Sequence, residues 1–375
     1  MPDMHLHIIS FDIPYPPNYG GIIDVYYKLV ALKRAGVKIH LHCYEYGRKP
    51  AQELEQWCEN VYYYPRSTGI WNSLYKRPYI VQSRRSKELI NRLIQDEYPI
   101  LFEGLHSCYF IDDKRLKNRK KIYRESNIEH HYYYHLFKAE RNLLRKPYFL
   151  LASLKLFIYQ KILKHASLML VVSQSDTLYL QQQFPGQRVV YLPSFHPNDE
   201  FSVISGRGYY ALYHGKLSVM ENYQAAKYLI EKVFRGSDYQ LIIAGLDPPE
   251  SLTRLAQKYV NVSVVPNPDD DTLFGLIRNA HVNVLVTFQP TGLKLKLLNT
   301  LYQGRFCLVN KHMVTGTGLD QLCEIANSDK EMKIKIDEVF KREFKHSEVE
   351  RRKELLKGVY SNKSKAEKLI KLVFE

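Results

Sequence analysis

Short apolar runs that read as strands alternate along this chain with segments of helical periodicity, and that alternation limits the fold more than any other feature. HLHIISFDI (5–13) reads as a buried strand. GGIIDVYYKLVALKRAG (20–36) follows, with Ile22, Val25, Tyr26, Leu29 and Leu32 at helical spacing and Gly36 placed to end the helix. VKIHLHCY (37–44) is then a second strand, and PILFEGLH (99–106), KKIYRES (120–126), LMLVVS (168–173) and VVYLPS (189–194) continue the series. After Pro193 it restarts with YYALYHG (209–215), a helix over about 222–233, YQLIIAGL (239–246), VSVVPN (262–267), VNVLVTF (282–288) and RFCLVN (305–310). Strands alternating with helices predict parallel sheets covered on both faces.

The restart marks a domain boundary. LPSFHPNDEFSVISGRGYY has turn formers and no periodicity, so the linker is placed near 193–208. A chain of 375 residues then holds two α/β domains, 1–195 and 206–350. Facing one another across a central cleft, they would bring strand C-terminal ends to one crevice, where ligands of open α/β sheets bind. The tail beyond about 333 is helical and highly charged, and its last stripe, Leu369, Leu372 and Val373, must be buried against something.

Charge narrows the partners without choosing among them. The formal net charge is +15, and there are 30 tyrosines. A basic surface draws phosphorylated substrates, anionic lipid or nucleic acid, and tyrosine suits sugar rings and interfaces. Five cysteines without a CxxC pair argue for reduced thiols in a cytoplasmic protein and against structural zinc. No signal-peptide pattern and no apolar stretch of about 18 residues is read in the sequence, so no transmembrane helix is expected.

Three glycine-bearing loops stand between a strand and a helix. Gly20 and Gly21, in PYPPNYGG, permit close backbone approach, and the N–H groups of the following helix favour an anion. Gly215 and Lys216, in YHGKLSVMEN, bring a point charge suited to a diphosphate. Gly292, in TFQPTGLKLKLLN, precedes a helix whose first turn or so carries Lys294 and Lys296. Cations there oppose the helix dipole unless a bound anion compensates. His131 and His135 are four apart, but no HExxH occurs, and a metal site is not expected.

Taken in order, these segments resemble the GT-B glycosyltransferases of family 4, the retaining class common in bacterial polysaccharide and lipopolysaccharide assembly. The similarity runs over nearly the whole chain. It rests on PYPPNYGGIIDVYYKLVALKRAGVKIH, on Arg124, Asn127 and Glu129 in RESNIEHHYY, and on VVSQSD (171–176). It rests further on Gly215-Lys216-Leu217 with Asn222, and on Gly292, Lys294, Lys296 and Asn299. The resemblance implies two Rossmann-like domains, the first binding acceptor and the second a nucleotide-diphosphate sugar. It implies that Lys216 and Lys294 or Lys296 meet the phosphates and that the Gly20-Gly21 loop closes over the donor. His106 would line the reaction centre, and a helix at about 358–375 would cross back onto the first domain. The implied activity is transfer of a sugar to a glycan or lipid-linked glycan acceptor for the cell surface, with no cofactor and no metal. Glu103 and Glu129 are the carboxylates to test for catalysis, each with a structural ion pair as its alternative.

The sequence departs from the family pattern at two points. Where the family often has two glutamates, this chain has Thr291 and Asn299, and a usual donor-site lysine is replaced by Glu221. A neutral Asn299 is a weaker partner for ribose hydroxyls than a carboxylate. These departures support an alternative, a catalytically silent GT-B subunit that binds a partner glycosyltransferase or glycan. A sugar-nucleotide epimerase lacks its acidic cluster here, and a nucleic-acid binder has only the net charge in its favour. The basic run KRLKNRKK (114–121) and the lysine-bearing apolar segment at about 147–163 suggest a peripheral contact with an anionic membrane on its inner, cytoplasmic face.

Overall fold

The structure, a computed structural model, describes residues 3–140, 142–288 and 295–375. Gly292 and Lys294 lie outside these residues. The chain divides into two compact units. The first contains the described residues up to Phe195 together with Val359–Glu375, and the second those between His196 and Gly358.

The first unit is built on a 7-stranded sheet of order β3-β2-β1-β4-β5-β6-β7. Its strands are β1 (His5–Ser10), β2 (Lys38–Glu45), β3 (Asn60–Pro65), β4 (Ile100–Glu103), β5 (Lys121–Glu125), β6 (Leu168–Val171) and β7 (Arg188–Tyr191). Every pairing is parallel, with Leu6 opposite Ile39 and Ile8 opposite Leu101. Leu6, Ile8, Ile9, Leu101 and Phe102 are fully buried, as a sheet covered on both faces requires. The helix Gly20–Arg34 covers one face. The terminal helix Asn362–Phe374 adds Ala366, Leu369, Leu372 and Val373 to the same core as Leu29 and Leu32. That is where the apolar stripe of the tail is buried.

The second unit has a 6-stranded parallel sheet of order β10-β9-β8-β11-β12-β13. Its strands are β8 (Tyr210–His214), β9 (Gln240–Gly245), β10 (Val262–Pro266), β11 (Val282–Leu285), β12 (Phe306–Val309) and β13 (Glu324–Ile325). The helix expected over 222–233 runs over Met220–Tyr228 and gives way to a π-turn at Leu229–Val233. Leu229, Ile230 and Val233 are all buried, so core packing sets the backbone there. In both sheets the chain winds outward in two directions from a central pair, β1 and β4 in one and β8 and β11 in the other. Helices diverge on either side of such a pair and leave a crevice at the strands' carboxyl ends.

Candidate functional site

In the first unit the crevice at β1 and β4 gathers the Gly20-Gly21 loop, His106 and Glu129. Gly21 opens the helix Gly20–Arg34 directly over Phe11, so a Cβ there would lie 2.8 Å from the ring. The preceding residue, Tyr19, gives the helix no side-chain cap, which leaves its first N–H groups to another acceptor. The Phe11 ring meets the His106 imidazole at 5.5 Å between centroids. His106 follows Gly104, in the left-handed region at φ +68°, within a 3-10 turn at the end of β4. Its Nδ1 is enclosed, makes no hydrogen bond and lies 3.7 Å from Glu129 Oε1.

Electrostatics hold both groups neutral near pH 7. Burial, with the Arg84 and Arg66 charges, pushes the imidazole of His106 well below its usual range. Burial pushes the Glu129 carboxyl up to about 8, against the opposing pull of Arg84. Glu129 is therefore a protonated acid that can donate a hydrogen bond, and His106 is an uncharged imidazole.

Glu103 belongs to a different arrangement. Its Oε1 accepts from the Lys28 ammonium at 2.6 Å, and Lys28 also donates to Asp24 at 3.0 Å. Arg124 donates to Asp24 at 3.1 Å and to the Leu192 and Pro193 carbonyls, and the Phe195 amide donates to Asp24 at 2.7 Å. All four charged side chains are buried. Burial raises the Asp24 carboxyl, but Arg124 and Lys28 outweigh it and hold the group below its ordinary range. Glu103 is thus committed to a balanced buried ion cluster that fastens helix, sheet and the 192–195 segment. This is its structural alternative.

The second crevice lies at β8 and β11. The loops after β8 and β9 touch backbone to backbone, because a Cβ on Gly245 would stand 1.7 Å from the Gly215 carbonyl oxygen. Asn222 joins three elements there. Its amide donates to the Lys216 carbonyl at 2.9 Å, its oxygen accepts from the Lys296 ammonium at 2.7 Å, and the Tyr213 hydroxyl reaches it at 3.3 Å. Lys296 also lies over the Tyr213 ring, 5.2 Å from its centroid. The half-exposed Lys216 ammonium is 3.6 Å from Asp247. His214 is buried below, and burial together with Lys296 pulls it down to about 3.

The two departures from the family pattern have definite partners. Glu221 accepts a short hydrogen bond from the Thr287 hydroxyl, and Asn310 brackets the Thr287 backbone. The Asn299 oxygen accepts from Asn198 at 2.8 Å, and Asn198 accepts in turn from Gln303 at 2.7 Å. That network engages the Asn299 oxygen within the second unit.

The structure thus brings Gly20, Gly21, His106 and Glu129 together in the first unit, and Gly215, Lys216 and Lys296 together in the second. Sequence reasoning missed Arg66, Arg84 and Tyr44 in the first unit. It gave Asn222 no role beyond a motif position. Nothing in the spacing of Arg84 separates it from an ordinary surface arginine. Among the described residues no three His, Cys, Asp or Glu side chains converge as metal ligands.

No family model matches the chain. A Klebsiella pneumoniae protein described as an uncharacterized 44.6 kDa protein in the cps region is 26% identical over 337 residues, 83% of this chain and 84% of that protein. WaaG, a glycosyltransferase involved in lipopolysaccharide biosynthesis, superposes at TM-score 0.66 and 11% identity, over 98% of this chain and 99% of its own. The pneumococcal O-GlcNAc transferase GtfA, solved with UDP and GlcNAc, gives 0.65 and 10%, over 100% and 99%. A glycosyltransferase from Rickettsia africae gives 0.65 and 10%, over 100% and 98%. Two doubly wound parallel sheets and these superpositions together establish that the chain has the GT-B glycosyltransferase fold.

Proposed function

We propose that this chain is a retaining glycosyltransferase that moves a sugar from a nucleotide-diphosphate donor to a glycan or lipid-linked glycan acceptor in cell-surface polysaccharide assembly. The observation that carries this reading is the Asn222 junction, which sets the Gly215-Lys216 loop and the Lys296 ammonium together at the β8/β11 crevice. The cps-region relative and the lipopolysaccharide and UDP-bound neighbours support the same direction.

As the bond from the anomeric carbon to the diphosphate breaks, negative charge grows on the leaving phosphate, and Lys216 and Lys296 stabilise it without a metal. The acceptor hydroxyl oxygen bonds to the same carbon, and its proton passes to the leaving phosphate oxygen. No enzymic nucleophile is required. The Gly20-Gly21 loop presents uncapped N–H groups, neutral His106 lines the acceptor side, and protonated Glu129 donates a hydrogen bond. The reading places the protein in the cytoplasm, on the inner membrane face, with phosphorylated substrates rather than nucleic acid as targets of its basic surface.

Melting in the presence of UDP, GDP, ADP, CMP and their sugar conjugates tests the donor. A ligand at about 100 times its dissociation constant stabilises a fold by about 2.7 kcal/mol. One nucleotide series should raise the melting temperature, and Lys296→Ala should erase most of that shift. If no nucleotide shifts the melt, the donor reading fails. The alternative is then a silent GT-B subunit that binds a partner enzyme or glycan, favoured by the engagement of the Asn299 oxygen with Asn198.

A further inference from the structure

Two arginines at the carboxyl edge of the first sheet have no carboxylate partner among the described residues. Arg84 is only 4% exposed, and its guanidinium donates to the backbone oxygens of Phe11, at 2.8 Å, and Ile80. Arg66 donates through Nε to the Ser83 hydroxyl at 2.9 Å, which seats it beside Arg84. Its guanidinium lies over the Tyr46 ring at 4.1 Å and near that of Tyr79 at 5.7 Å.

The surrounding acids act on Arg84 from a distance, and none pairs with it among the described residues. Asp12 attracts the Arg84 charge but bonds elsewhere, to the Ile13 amide, the Tyr19 hydroxyl and, at 3.7 Å, Arg48. Glu129 is held protonated. Burial, with the Arg66 charge beside it, brings Arg84 down to about 9 against the opposing pull of Tyr44 and Asp12, so it remains a cation at neutral pH. A buried cation without a counter-charge is costly, and an anion seated there removes the cost. The Tyr44 hydroxyl is enclosed, feels the Arg84 charge and makes no hydrogen bond, so its proton is uncommitted.

An apolar groove of about 150 Å³ shares Tyr79 and Ile80 with this cation pair, for Arg66 lies near the Tyr79 ring and Arg84 bonds the Ile80 carbonyl. Tyr79, Ile80, Tyr133, Tyr148, Leu151 and Leu156 line it, so the Tyr79 ring stands between Arg66 and the groove. Guanidinium groups followed at once by an aliphatic and aromatic trough fit a phosphate carried on a hydrocarbon chain.

We propose that Arg66 and Arg84, with the Tyr44 hydroxyl, form a phosphate subsite in the first unit, and that the adjoining groove takes the first carbons of an alkyl chain esterified to that phosphate. The acceptor class is then a lipid phosphate. The inference rests on reading the first unit as the acceptor-binding unit, but it involves none of the residues assigned to the donor.

Calorimetric titration of the full chain with inorganic phosphate and with decyl phosphate, below its micelle concentration, tests it. Decyl phosphate should bind at least tenfold more tightly than inorganic phosphate. Arg66→Gln, at a half-buried position, should weaken decyl phosphate at least tenfold while leaving any nucleotide-induced melting shift unchanged. Leu151→Ser should reduce the advantage of the alkyl chain and spare inorganic phosphate. Equal affinity for the two phosphates would show a free phosphate source and overturn the groove assignment. Indifference of decyl phosphate to Arg66→Gln would place the anion elsewhere, as at the lysines of the second unit, and no binding to the wild type would end the proposal outright. A nucleotide that fails to bind while decyl phosphate behaves as expected would sink the donor reading and leave this one standing.

Discussion

Glu129 has a proton-linked signature that separates it from the other carboxylates. Its folded-state carboxyl titrates near 8, against an ordinary value of 4.5, and burial is the cause. Between those values the folded chain holds a proton that the unfolded chain has released. The stability contributed by the neutral acid is therefore fully present below about pH 4.5 and is lost as pH rises toward 8. Glu129→Gln removes the titration but keeps the size and a hydrogen-bond donor. Urea unfolding of both proteins from pH 5 to 8 should show the wild type losing up to about 1.4 kcal/mol per pH unit more than the variant. Parallel slopes would mean that Glu129 is ionised in the fold. If the phosphate-assisted route is correct, the same variant keeps sugar transfer within about tenfold, because its role is to donate a hydrogen bond rather than to accept a proton.

The buried ion cluster acts at the scale of elements, since Asp24 and Lys28 lie on one helix, Glu103 and Arg124 on adjacent strands, and Phe195 at the end of the first unit. Asp24 serves Lys28, Arg124 and the Phe195 amide at once. Asp24→Asn leaves Arg124 without a carboxylate and should cost about 3–5 kcal/mol in urea unfolding. Glu103→Gln leaves Lys28 its bond to Asp24 and should cost less. A loss below about 1 kcal/mol for Asp24→Asn would mean that the cluster is not a structural clasp. This cluster also marks the limit of what the sequence disclosed. Strands such as HLHIISFDI and VNVLVTF were legible because a parallel strand covered on both faces is rich in apolar residues, and their short length with helical segments between them favours strand over helix. The glycine loops at Gly20-Gly21 and at Gly215 were legible because each lies between a strand and a helix. The separate fates of Glu103 and Glu129 were not, since which acid meets Lys28 depends on a contact spanning 75 residues. The π-turn at Leu229–Val233 and the inward turn of Asn299 likewise follow from packing that no local pattern records.

At the scale of the whole molecule the net charge of +15 and the exposed apolar residues of the first unit point to one behaviour. The basic run at 114–121 is a weaker anchor than its composition suggests, because Arg119 and Lys121 are turned inward onto backbone carbonyls. The stronger feature is apolar. In the helix Lys146–Tyr159, Leu151, Leu154 and Ile158 are exposed, and Lys155 turns aside to cap the Ser73 and Tyr75 carbonyls. That lysine ties the helix to the turn Ile70–Leu74, where Ile70, Trp71 and Leu74 are each more than 70% exposed. No helix among the described residues is long and apolar enough to cross a membrane, so a patch of this kind can engage a bilayer only from one side. Exposed Lys76, Arg145, Lys161 and Lys164 flank it in sequence and suit an anionic surface. Sedimentation with vesicles of phosphatidylglycerol and phosphatidylethanolamine at about 0.01 M salt, where the screening length is about 30 Å, should carry the protein down. Fully burying a large apolar side chain contributes about 1.5–3 kcal/mol, so the double variant Trp71→Ser, Ile158→Ser should lower vesicle affinity at least about tenfold even if each inserts only in part. Salt should weaken wild type and variant alike, because the basic rim is intact in both. A wild type that stays in the supernatant at low salt would remove the membrane from this reading. Binding that salt abolishes and the double variant leaves untouched would assign the contact to charge alone.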